Sequence, residues 1–126
     1  MKRSIAAVLL IASAALPALA QQGALICGGT EPFWSVTHTG QAMWYSTPEA
    51  QRLELVPVRA RNADGRPPDL VRVYQTRRAD GRGDVTLVVT RNEQTCSDGM
   101  SDRRFPYDAV YIDGQRVLHG CCRWSQ

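Results

Sequence analysis

The chain has 126 residues and a formal net charge of +3, from 15 Lys+Arg and 12 Asp+Glu, and 44% of its residues are hydrophobic. This length predicts a single domain with a modest core. Without Lys2 and Arg3, 13 basic residues face 12 acidic ones, and a net charge of +1 argues against a nucleic-acid-binding protein.

The first 20 residues have the three parts of a cleavable export signal. Lys2 and Arg3 are basic, residues 4–16 are almost continuously apolar, and residues 18–20 (ALA) form a small-x-small cleavage site. The apolar run is too short to span a bilayer. We therefore predict a signal peptide at 1–20, a single domain at 21–126 with no membrane span, and a periplasmic location.

Alternation of apolar and polar residues dominates the rest of the chain. It predicts strands at 33–38, 41–46, 51–61, 70–76, 84–91, 107–112 and 115–119. Turn signals separate these strands, the strongest at 62–68, and a hairpin is expected across Asp113-Gly114. Residues 47–51 resemble one capped helical turn. Seven or eight short strands predict an all-β domain, either a small antiparallel barrel, which covers its strand edges, or a two-sheet sandwich.

Four cysteines, Cys27, Cys96, Cys121 and Cys122, follow the export signal. An even number in a small exported domain predicts a disulfide framework. Cys121 and Cys122 are adjacent, so in a strand their side chains point to opposite faces, and a bond between them would be strained. Each should therefore pair with a different one of Cys27 and Cys96, which leaves two pairings open.

A metal site built from the cysteines and His119 is the alternative to disulfides. Zinc sites rarely use adjacent cysteines, and an oxidising compartment removes free thiolates. A calcium loop around Asp98 and Asp102 would have too few oxygen ligands. We therefore expect no metal and no other cofactor.

Two segments carry motifs, which we call the Cys27 block (residues 27–35, CGGTEPFWS) and the Cys96 block (residues 96–102, CSDGMSD). With Phe105-Pro106-Tyr107 and Gly120-Cys121, they resemble a family of small, uncharacterised bacterial envelope proteins, periplasmic or lipoprotein-like, over essentially the whole exported chain. Phe105 stands where Tyr is frequent. The resemblance implies an exported β domain but no reaction. It also implies that Cys96 and Cys121 are the regular pair and that Cys27–Cys122 is an added one, and we adopt this pairing.

The Cys27 block has two interpretations. Gly28-Gly29 is expected to turn tightly, and Phe33 and Trp34 should point to opposite faces of the strand that follows. An exposed Trp34 beside Glu31 would suit recognition of a partner. A buried one would close one end of the barrel, and this is the interpretation that we favour.

The Cys96 block also has two interpretations. Ser97, Asp98 and Ser101 can bond their own backbone and build turns, with Met100 as a buried plug. A disulfide-anchored polar loop would equally suit insertion into a partner's cleft, although the structural interpretation is favoured. The candidate binding residues of the two blocks are Glu31, Trp34, Ser97, Asp98 and Ser101.

No pattern in the sequence indicates catalysis. His38 and His119 are the only histidines, and there is no nucleophile-elbow or phosphate-loop motif. We predict a non-catalytic, periplasmic binding or interaction module, whose partner would be an envelope protein or a hydrolase. The alternatives are an inhibitor of lysozyme or another envelope hydrolase and a small-molecule carrier. Because Cys121 and Cys122 should tie down both blocks, we expect the blocks to lie together at one end of the domain.

Overall fold

The computed structural model describes residues 23–50 and 52–126, so the predicted signal peptide at 1–20 lies outside the described residues. Within the described ranges, one antiparallel sheet of nine strands forms and no helix is present. The strands are β1 (Leu25–Thr30), β2 (Phe33–His38), β3 (Met43–Ser46), β4 (Leu53–Leu55), β5 (Arg61–Asn62), β6 (Val71–Arg77), β7 (Asp84–Ser97), β8 (Arg104–Asp113) and β9 (Arg116–Trp124). No helix in this part of the chain is long and apolar enough to cross a membrane.

The sheet is two meanders joined along one seam. Its order is β4-β3-β2-β1-β9-β8-β7-β6-β5, so the pairing of β1 with β9 connects the two halves. The sheet curls until its outer parts meet: Leu55 of β4 forms a bridge with Arg78, and the Val56 amide donates to the Arg77 carbonyl at 3.0 Å. The prediction of an all-β, disulfide-stapled antiparallel barrel is confirmed as a curled half-barrel, with nine strands in the described residues instead of seven or eight.

Strand β1 was not predicted, and the expected turn at Gly28-Gly29 is wrong. Both glycines are extended within β1, and the chain turns at Glu31-Pro32. Glycine is needed at 28 for close approach, because a Cβ there would lie 2.6 Å from the Trp34 carbonyl oxygen. Two glycines in a row therefore indicate tight strand packing here and not a turn.

The strand predicted at 51–61 is interrupted, and Gln51 lies outside the described residues. Leu53–Leu55 and Arg61–Asn62 are strands, but residues 56–60 between them are irregular. Pro57 lies in this stretch and has no amide hydrogen to donate to a neighbouring strand. The predicted helical turn is also wrong, because residues 48–50 form bends, although the Ala50 amide donates to Thr47 Oγ1 at 3.0 Å as in a cap.

The hairpin of β7 and β8 extends well beyond its predicted length. Its register shifts between Arg91 and Cys96, where four residues on β7 face one on β8, and Thr95 has a φ of 66°. Simple alternation stops at this bulge, which is why the sequence pattern missed the extension. Bulges bend the strands that carry them. We call the part beyond the bulge, residues 96–105, the flap.

Aromatic side chains fill the interior at the end where β1 finishes and β2 begins. The ring centroids of Trp34 and Tyr111 are 5.7 Å apart, and those of Tyr45 and Tyr111 are 4.8 Å apart and stacked. Trp34 is only 4% exposed and packs against Gly29 and Gly120 on the neighbouring strands. The glycines thus provide the space that the indole occupies.

We expect Gly120→Ala to destabilise the fold. A Cβ at Gly120 would lie 2.1 Å from the Gly28 carbonyl oxygen and 2.9 Å from Trp34 Cζ2, so the backbone of β1 would have to move. The loss should be on the order of 2–3 kcal/mol in the free energy of unfolding, measured by urea denaturation. Gly83→Ala is the control, since its Cβ would meet nothing closer than 3.9 Å. Equal denaturation midpoints for both variants would contradict this account.

Candidate functional site

Two disulfides use opposite faces of β9. Cys27 and Cys122 are direct cross-strand partners in β1 and β9, are almost fully buried, and are bonded to each other. Cys121 is bonded to Cys96. The preferred pairing is therefore confirmed, and all four cysteines of the chain are used. Because adjacent strand residues face opposite ways, the Cys27–Cys122 bond lies in the core and the Cys96–Cys121 bond fastens the flap to the outer face of β9.

The flap brings the two blocks together, as expected from the cysteines. Thr30, in the Cys27 block, donates its hydroxyl to the Asp98 carbonyl oxygen at 2.7 Å. Between the blocks lies an open cleft of about 360 Å³, lined by residues 29–31, 97–99, 119 and 120. We call this the block cleft.

Asp98 holds the loop of the Cys96 block in shape. Its Oδ1 accepts from the amides of Met100 (3.0 Å) and Ser101 (2.9 Å), and its Oδ2 accepts from the Ser101 hydroxyl at 2.9 Å. Ser97 Oγ accepts from the Gly99 amide at 3.2 Å. The bonds from Ser101 and Met100 lower the pKa of Asp98. The carboxylate therefore stays ionised to a more acidic pH than an ordinary Asp side chain, and Asp98 lines the block cleft.

The candidate binding residues occupy different positions relative to the cleft. Glu31, Ser97 and Asp98 line it. Ser101 lies behind Asp98 as its hydrogen-bond partner. Trp34 is buried beneath the cleft, where its indole N–H donates to the His119 carbonyl oxygen at 3.2 Å. Trp34 therefore supports the floor of the cleft from the inside and is not itself displayed.

Sequence reasoning missed His119 as a lining residue. Its exposed imidazole stands on the outer face of β9, two residues from Cys121, and Nε2 lies 3.8 Å from Asp108 Oδ1. The signal was present in the sequence: alternation along β9 places His119 and Cys121 on one face.

Three exposed apolar side chains lie within two residues of residues that line the cleft. Among the described residues, the exposed large hydrophobic side chains are Phe33 (52%), Met100 (66%) and Val117 (64%). Phe33 lies directly opposite Thr30 in the β1–β2 pairing. Met100 is two residues beyond Asp98, and Val117 is two residues before His119 on the same face of β9. We call these three side chains the apolar rim. Met100 is exposed at the tip of the flap, so the expectation that it is a buried plug is wrong.

The cleft is lined mainly by polar residues. Glu31, Asp98, His119 and Ser97 line it, and the exposed apolar residues of the rim lie within two residues of lining residues. Within residues 23–50 and 52–126, no three His, Cys, Asp or Glu side chains are grouped so that they could hold a metal ion.

No family model matches the chain, and no match is found among curated proteins or solved structures. The resemblance to envelope proteins therefore remains an expectation that rests on the two blocks, and the function must be argued from the site itself.

We expect the two disulfides to contribute differently. The cysteines of the core bond are 95 residues apart and those of the flap bond 25 residues apart. In the chain-entropy model these loops correspond to about 4.7 and about 3.5 kcal/mol of stability. Urea unfolding should show the larger loss for the double variant Cys27→Ala/Cys122→Ala.

The double variant Cys96→Ala/Cys121→Ala should additionally lose hydrogen-exchange protection in the flap while the remaining strands keep theirs. Retained protection at residues 96–105 would contradict the view that this bond fastens the flap.

We expect the flap loop to be sensitive to acid. The pKa of Asp98 is lowered in the folded state from its ordinary value of 3.8, so its stabilising effect is complete above that value. The effect is lost as pH falls through the lower, folded value. The amide resonances of Met100 and Ser101 should therefore shift only at a pH below 3.8, and Asp98→Ala should shift them at neutral pH. Asp102→Ala is the control, and similar shifts in both variants would contradict the assignment.

Proposed function

We propose that this chain is an exported, non-catalytic binding module that recognises a protein partner through the block cleft and the apolar rim. The observation that carries the proposal is the position of the rim: the exposed large hydrophobic side chains of the described residues all neighbour residues of one cleft. Apolar side chains grouped around polar ones are typical of protein interaction sites.

The charges of the cleft indicate the kind of partner segment. Glu31 and Asp98 are carboxylic acids at the cleft, and the loop hydrogen bonds lower the pKa of Asp98 further. A partner that places a Lys or Arg side chain between them, with an apolar side chain against Phe33 or Met100, would be complementary in charge and in hydrophobicity. Phe and Met are both common in the centres of such interfaces.

The proposed location is the periplasm. Two disulfides are consistent with an extracytoplasmic protein, because such bonds persist in oxidising compartments. Residues 1–20 have the features of an export signal. Both support a partner in the cell envelope.

Site-specific photo-crosslinking tests the proposal. A benzophenone amino acid is placed at Met100 in the full chain, which is expressed in cells of the organism that makes it and irradiated. We expect a discrete crosslinked protein whose yield falls about tenfold when Phe33→Ser or Glu31→Gln is added. Gln75→Ser, on the exposed outer face of β6, is the matched control and should leave the yield unchanged. No crosslink at Met100, or equal yields in all variants, would refute the proposal.

An inhibitor of lysozyme or another envelope hydrolase is the second candidate function. The observation that favours it is the exposed Met100 at the tip of a hairpin that a disulfide anchors at its base. Such a tip can enter an enzyme's substrate cleft with little loss of conformational entropy. Protection of cells from lysozyme at micromolar protein, lost in Met100→Ser, would identify the partner as a hydrolase, and lysis unaffected by the protein would remove this candidate.

A further inference from the structure

A second cavity lies at the other end of the half-barrel, apart from the block cleft. His38 ends β2, Arg72 is near the start of β6, and Trp124 ends β9, and the antiparallel pairing brings these strand ends together. With residues 57–60 they enclose an open pocket of about 420 Å³. No residue that lines the block cleft lines this pocket. We call it the mouth pocket.

Arg72 is an inward-facing cation without an anionic partner. It precedes Tyr74 by two residues on β6, so both side chains point to the inner face. All 12 Asp and Glu residues of the chain lie in the described ranges, and none of them forms an ion pair with Arg72. Its Nε is buried and lacks a hydrogen-bond partner among the described residues. The hydrogen-bonding capacity of this guanidinium is therefore not used up within the chain, and because Arg72 lines the mouth pocket, an acceptor bound in the pocket could use it.

Aromatic groups hold the guanidinium in the pocket. The Arg72 Cζ lies 5.3 Å from the centroid of the Trp124 ring. Burial raises the pKa of Tyr74, and the nearby positive charge of Arg72 partly offsets that rise. The charge therefore lies between a phenol and an indole, at the inner wall of the pocket.

His38 forms another part of the lining, and its ring nitrogens are hydrogen-bonded within the chain. The Gly40 amide donates to Nδ1 of His38 at 2.9 Å, so Nδ1 carries no proton, and Nε2 donates to the Val58 carbonyl oxygen at 2.8 Å. The imidazole packs against Tyr74 with a centroid distance of 5.1 Å. Both ring nitrogens are thus used by the protein, and the ring presents a flat apolar surface.

The lining as a whole favours a ligand that is anionic at one end. Arg72 and the exposed Arg59 supply positive charge, and no carboxylate side chain lines the pocket. The rest of the lining is aromatic or apolar at His38, Tyr74, Trp124 and residues 57–58, and it is polar at Thr39 and Asn62. Ligand pockets of this size, in the mouths of β-barrels, are typically apolar with a few polar groups that orient the ligand.

We propose that the mouth pocket binds a small carboxylate with a planar apolar body, with the carboxylate on Arg72 and the flat body against the aromatic lining formed by His38, Tyr74 and Trp124. A guanidinium can donate two parallel hydrogen bonds to a carboxylate, which gives both charge pairing and orientation. The mouth pocket shares no lining residue with the block cleft, so this proposal does not depend on the proposed protein partner.

The test uses 2-naphthoate as the probe, with the exported protein purified in its native disulfide form. Titration followed by NMR should shift the indole N–H resonance of Trp124 and the backbone amides of residues 38–40 and 57–60. 2-Naphthamide has the same flat body without the charge and should bind at least about tenfold more weakly. N-acetylphenylalanine, which imitates the end of a peptide chain, distinguishes a chain terminus from a free acid as the source of the carboxylate, according to which of the two acids binds more tightly.

Substitutions of Arg72 test whether its guanidinium binds the carboxylate of naphthoate. Arg72→Gln should weaken naphthoate binding at least about tenfold, and Arg72→Lys should restore only part of it, because an ammonium lacks the two-pronged geometry. Arg77→Gln, an exposed position on the same strand, is the matched control and should bind as the wild type does. The proposal is overturned if naphthoate and naphthamide bind equally to the wild type, or if no resonance of the pocket moves at millimolar naphthoate. The comparison of the two probes needs no variant, so it remains decisive if Arg72→Gln does not fold.

Discussion

The structure depends on the pairing of β1 with β9. This seam joins the two meanders into one sheet, and the Cys27–Cys122 bond fixes it from the inside. The next residue, Cys121, faces outward and fastens the flap. Two adjacent cysteines in one strand thus serve two purposes, since one joins β9 to β1 and the other joins β9 to the Cys96 block. Without the seam, neither the block cleft nor the floor beneath it would have a fixed shape.

The seam also explains the glycines on β1 and β9. Gly29 on β1 and Gly120 on β9 leave room for the Trp34 indole, which fills the end of the half-barrel under the block cleft. In the Cys27 block, the glycines and Trp34 therefore serve the packing of the fold, whereas Glu31 and Phe33 lie at the surface. Such a motif contains both buried and exposed residues, and the alternation of the sequence does not show which residues are buried until the inner face of the strand is known.

The sequence predicted the parts of the fold that have a strict period of two, such as β2, β6 and the first half of β7. It failed where the period breaks, at the bulge after Arg91 and at the irregular segment around Pro57, because both depend on contacts with distant strands. The same two irregular places create the candidate sites. The bulge bends the flap over β9. Residues 57–60 do not pair with β6, and they form a wall of the mouth pocket instead. Long-range contacts of this kind have no local signature in the chain.

The two candidate sites differ in charge, and this difference argues that they serve different ligands. Carboxylates line the block cleft, whereas arginines and no carboxylate line the mouth pocket. They lie on opposite faces of the sheet, one outside near the start of β2 and the other inside near its end. Strand β9 connects them directly, since His119 lines one and Trp124 lines the other. The two sites therefore share one strand of the sheet although their lining residues are different, and a substitution that distorts β9 would be expected to affect both.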